Sequence, residues 1–213
     1  MINSGGTMKR SLLLFVLLAI LAAPFAVASN FGSTGTTGIT GTTNGVWLTG
    51  NSSFYVARVS LTSAYSSAVS NVMTNQYNPT DLTAYVSSPT YCDASLDVCV
   101  FDSNYGNTGI NGWNSCYGPT SGSHPNRRCV TQWVRINTYH SPPANRIVCH
   151  EVGHSVGLRH SSESVSCLKT TADGGTSSTL SSHDRGHING AHPNRGCRSW
   201  GLKPPDSRRH LAM

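Results

Sequence analysis

Residues 150 to 161 read His-Glu-Val-Gly-His-Ser-Val-Gly-Leu-Arg-His-Ser, and this stretch holds the residue types that can grip a cation and work on water. An α-helix turns about 100° and rises about 1.5 Å per residue. His150 and His154 therefore stand about 40° apart on one helical face, one turn from each other, where two imidazoles reach one ion. Val148, Val152 and Val156 recur on the opposite side as an apolar stripe suited to a core. His160 would leave the ligand face if the helix ran on. Gly157 stands where the chain can stop and turn, because glycine reaches positive φ at little cost. Such a turn brings His160 back as a third ligand. Three neutral imidazoles leave the fourth tetrahedral position open, as at a catalytic zinc, and Glu151 can take a proton from water there.

The skeleton H-E-x-x-H-x-x-G-x-x-H resembles the zinc signature of the metzincin endopeptidases, in which a methionine-containing turn follows. The resemblance implies His150, His154 and His160 as zinc ligands and Glu151 as general base. It also implies a secreted zinc endopeptidase that acts on proteins or peptides. After His160 the only methionine is Met213. Ser166-Cys167-Leu168 lies where secreted matrixin-like relatives carry Ser-Cys-Met, so Leu168 reads as the replacement beneath the site. A swap of Leu for Met conserves volume and apolarity. Leu180-Ser181-Ser182-His183-Asp184 resembles the start of the final matrixin helix, with Ser181 or Ser182 as its cap and Asp184 in its first turn. The resemblance is sharp over residues 146 to 168, looser over 180 to 189 and architectural from 46 to 140.

Several elements must position that stretch. Residues 46 to 61 carry Trp47, Phe54, Tyr55, Val56 and Val59 and predict a first strand. Tyr65, Ala68, Val69, Val72 and Met73 recur at helical spacing over 63 to 76. Residues 82 to 86, 96 to 101 and 132 to 139 predict further strands, the last as the upper strand beside the cleft, holding an extended substrate. Ser141 followed by two prolines offers an N-cap for the zinc helix. The expected fold class is α+β and metzincin-like. It has a twisted mixed sheet with two packed helices, the zinc helix at the cleft, and a small irregular C-terminal subdomain ending in a helix.

The rest of the chain sets compartment and partners. Met8-Lys9-Arg10, an apolar run over 11 to 25 and Ala26-Val27-Ala28 have the three parts of a secretory signal, so residues 1–28 are expected to be removed. Residues 29–45, rich in Ser, Thr, Gly and Asn, read as a flexible lead too poor in apolar side chains to pack. Residues 46–200 read as one catalytic domain, its cleft between 46–157 and 158–200, and 201–213 as a basic tail. The formal charge of +6 comes with basic residues crowded at the C-terminus rather than interleaved with aromatics on a folded face, which excludes a nucleic-acid binder. No membrane role remains once the signal is gone, and a monomer is expected.

All seven cysteines lie beyond the signal, as disulfides in an exported chain would require. Local spacing favours Cys92–Cys99 and Cys116–Cys129. Cys149–Cys167 would staple the zinc helix to the turn beneath it, leaving Cys197 over. The Asp102–Gly112 stretch of oxygen donors and glycines offers a weak calcium site and reads better as a turn. His183 and His187 are a second i, i+4 pair, which without an adjacent Glu or a third partner reads as surface. The rival to an enzyme is a secreted, zinc-stabilised binding protein that has lost catalysis. Intact Glu151 speaks against it, since a purely structural site does not need a base.

Overall fold

The computed structural model describes residues 30–34 and 45–193. The expected signal over 1–28, the expected tail over 201–213 and Cys197 lie outside the described residues. A five-stranded sheet carries the molecule. Its strands are β1 (Ser53–Arg58), β2 (Thr83–Ser87), β3 (Val98–Ser103), β4 (Gly112–Cys116) and β7 (Gln132–Asn137), in spatial order β2-β1-β3-β7-β4. The first four in that order run parallel, and β4 alone is antiparallel, paired to β7 with Trp113 opposite Arg135. A two-stranded ribbon, β5 (Thr120–Ser121) and β6 (Arg128–Cys129), joins β4 to β7.

Two helices cover one face of the sheet, α1 (Ser63–Val72) and α2 (Ala144–Ser155). The inward residues Phe54, Val56, Val98, Val100, Val134 and Ile136 form one buried cluster with Tyr65, Val69 and Val72 of α1 and Ile147, Val148 and Val152 of α2. The period-2 and period-3.6 patterns thus meet in a single core. A smaller cluster of Ala57, Val59, Leu96 and Cys99 packs on the opposite face. α1 passes into a π-turn, Met73–Tyr77, and this widening sets Tyr77 where its hydroxyl donates to the Cys149 carbonyl of α2 at 2.8 Å. A third helix, α3 (Ser182–Ala191), closes the C-terminal part. Ser181 caps it in a reciprocal capping box with Asp184. The α+β, metzincin-like architecture is the one expected.

Three expectations need correction. Ser141 is not the cap of the zinc helix: it lies at φ 47°, and Pro143 precedes the first turn without a side-chain cap. The strand at 132 to 139 is interior, paired on both sides, so it has no free edge for a substrate. Its hydrophobic alternation marks a strand but says nothing about which strand lies outermost. The lead does pack at its described ends, because Phe31 lies against the core and backbone hydrogen bonds hold the chain on either side. Gly32 N–H donates to the Gly157 carbonyl at 2.8 Å and Gly45 N–H to the Asn114 carbonyl at 3.0 Å. Asn30 and Ser33 are buried.

Candidate active site

Every residue of α2 from Arg146 to Ser155 is buried, so its histidine face is enclosed between the sheet and the chain that follows. The rings of His150 and His154 lie 4.8 Å apart between centroids. The helix ends at Ser155, and the Val156 and Leu158 amides both turn back to the Gly153 carbonyl. Gly157 has φ +95°, and a Cβ there would stand 2.9 Å from the Phe31 ring. Both the backbone angle and the close approach require glycine. The turn returns His160 to ring-centroid distances of 5.2 Å from His150 and 5.1 Å from His154. One nitrogen from each of the three rings lies within 4.8 Å of the others. Ligands about 2 Å from one tetrahedral ion stand about 3.3 Å apart, so the three rings would close by up to about 1.5 Å on binding it.

The protonation states suit a cation. His150 Nδ1 lies 2.8 Å from the Cys167 carbonyl and His154 Nδ1 lies 2.8 Å from the Leu158 carbonyl. A carbonyl only accepts, so each Nδ1 carries the hydrogen and a neutral ring keeps its lone pair on Nε2. His154 Nε2 is fully buried and has no hydrogen-bond partner. An enclosed lone pair on which two further imidazoles converge calls for a Lewis acid, so the residues fit a zinc ion. Burial drives His150 down to about 4, helped by the nearby positive potential of His160 and Arg146 and opposed by the Cys167 hydrogen bond. Burial holds His154 well below the usual imidazole range, with His150 and His160 adding to the effect. Partial desolvation of its ring also lowers His160, with Asp173 opposing. All three stay neutral near pH 7, as ligands must.

Glu151 is 2% exposed, and desolvation pushes its carboxyl up to about 8 in the metal-free protein. Its Oε2 has no partner. Gly112, at the start of β4, stands against it: a Cβ at 112 would lie 2.9 Å from Glu151 Cγ and 3.1 Å from Oε1. Sequence reasoning passed over Gly112 because nothing in the chain announces what faces it. A cleft of about 250 Å³ opens here, lined among others by Gly112, Arg146, His150, Glu151, His160 and Thr171. A larger cavity of about 510 Å³, between Trp47, Tyr117, Trp133 and Arg135, contains none of these histidines. β4 is the edge strand beside the site, although Gly45 already occupies its Asn114 carbonyl.

The supporting shell ties distant parts of the chain to the ligands. The three local disulfides are present, Cys92–Cys99, Cys116–Cys129 and Cys149–Cys167. The last joins α2 to the residue whose carbonyl orients His150. Leu168 is fully buried, and a Cβ on Gly153 would lie 2.9 Å from its Cδ1. Ser166 Oγ donates to Asp184 at 2.6 Å and Asn30 Nδ2 to the same carboxylate at 2.9 Å, so α3, the 166–168 turn and the lead meet at one buried acid. The Asp102–Gly112 loop is organised from within. Asp102 accepts from Thr62, while Asn137 Nδ2 donates to the Gly106 carbonyl at 2.9 Å and the Ile110 carbonyl at 3.3 Å.

The sequence model of the dual-action HEIGH metallo-peptidases matches residues 32–193, most of the chain. This chain belongs to that family. It is a zinc metallopeptidase of the metzincin type, and the five letters of the family's name correspond to His150-Glu151-Val152-Gly153-His154, with Val for Ile. No curated protein matches the sequence closely enough to count as a relative. Among the described residues no helix is long and apolar enough to cross a membrane.

Proposed function

We infer that the protein is a secreted endopeptidase in which His150, His154 and His160 hold the zinc ion and Glu151 is the general base. When bound, zinc supplies a Lewis acid that acidifies the attacking water and polarises the scissile carbonyl. The observation that carries this reading is the buried, unpartnered Nε2 of His154, with its Nδ1 hydrogen tied to the Leu158 carbonyl. Glu151 Oε2, also unpartnered, takes the proton from water and delivers it to the leaving amine. With a cation held by the three histidines, Glu151 would return to the ionised form that desolvation alone disfavours.

An extended substrate pairs at the start of β4, where Gly112 leaves the backbone open beside Glu151. Leu168 stands in for the methionine of relatives as the apolar floor under Gly153. Three disulfides and the signal-like first 28 residues support export. Protein or peptide substrates reach a monomer in that setting. A zinc-stabilised binder would have no use for a buried carboxylate facing the cleft. Casein incubated with correctly oxidised, zinc-loaded protein tests the reading. Cleavage that 1,10-phenanthroline abolishes is expected, and intact casein would overturn it.

A further inference from the structure

Arg146 is the charged group lining the cleft that the reaction above does not use. It lies four residues before His150 on the same helical face, about 6 Å along the axis, and lines the same 250 Å³ cleft as His150, Glu151 and His160. The residue is only 6% exposed. Nη2 donates to the Lys169 carbonyl at 2.9 Å and Nη1 to Thr171 Oγ1 at 3.3 Å. A guanidinium has five N–H donors, so two bonds leave three unmet. Nε is enclosed without a partner. Among the described residues no carboxylate lies within ion-pair distance of it. A cation buried to this depth without an anion is uncommon and costly.

The surroundings fix the group in place. A Cβ on Gly175 would lie 2.8 Å from Nη2, so the glycine makes the room the fork needs. Ile110, Ile147 and Ala172 also line the cleft and dilute its water, which strengthens any charge pairing inside it. Resting on the peptidase reading above, we propose that Arg146 makes this enzyme select an aspartate or glutamate side chain just after the scissile bond. The side follows from strand direction. The cleft borders Gly109–Gly112, the amino end of β4. A substrate added antiparallel, the more stable pairing, has its carboxyl-terminal part at that end. Its acid then meets the guanidinium that the protein leaves unpaired, in the planar fork geometry suited to a carboxylate.

The alternative is that Arg146 only braces residues 169–171, and matched substrates separate the two roles. Full-length zinc-loaded protein is given two fluorogenic peptides that differ only in Glu against Gln after the cut. We expect kcat/KM to favour Glu by roughly 10-fold or more, the worth of one charge-assisted hydrogen bond. Arg146→Lys should keep part of the preference and Arg146→Met should remove it. Equal cleavage by the wild type, or a preference that survives in Arg146→Met, would overturn the proposal alone. Should Arg146→Met fail to fold, the wild-type pair still decides. Failure to cut either peptide or casein would overturn the peptidase reading and this proposal with it.

Discussion

Two pairs of histidines spaced i, i+4 lie on helices of this protein, His150/His154 on α2 and His183/His187 on α3, and only the first is built for a metal. The ring separations are similar, 4.8 Å and 4.4 Å. What differs is the surroundings. Each ring on α2 has its Nδ1 on a backbone carbonyl, and a turn delivers a third imidazole. On α3 His183 faces Glu163 at 3.7 Å and His187 stacks on Phe31 at 5.2 Å; each ring has an enclosed nitrogen without a partner, but among the described residues no third ligand joins them. Spacing brings two rings together; oriented lone pairs and a third ligand make a site.

Substitutions break or sharpen that contrast. His154→Ala should abolish zinc retention and casein cleavage together, measured by metal analysis of the dialysed protein. Glu151→Gln should retain one zinc yet lose roughly 10²- to 10⁴-fold in rate. Gly157→Val should lower stability by about 1–3 kcal/mol through its positive φ, and further through the Phe31 contact. With His160 mis-aimed, zinc affinity should fall roughly 10- to 100-fold, a value competition with a fluorescent chelator can read. Leu168→Met should shift the denaturant midpoint by the equivalent of less than about 1.5 kcal/mol. Smallest of all, the double change His183→Ala with His187→Ala should leave zinc stoichiometry and kcat/KM unaltered. Loss of one zinc equivalent there would erase the contrast.

The chain announced its metal centre far more clearly than the wall opposite. The motif, the turn at Gly157, the three local disulfides and the Ser181 cap all depend on residues close in sequence, where spacing translates into geometry. β4 leaves no such mark, because Gly-Trp-Asn-Ser-Cys has neither alternation nor β-branched side chains. It is a strand only because β7 pairs with it. The role of Gly112 depends on Glu151, thirty-nine positions later. The same holds for Asn30, whose polar stretch looked too poor to pack until Asp184 supplied a buried acceptor. Long-range backbone and polar contacts leave little trace in local composition.

Anomalous X-ray diffraction at the zinc edge, from crystals of the zinc-loaded protein, tests the central claim most directly. The account predicts a single ion about 2 Å from a ring nitrogen of each of His150, His154 and His160. An ion held elsewhere, or by only two of those rings with His160 turned away, would contradict it.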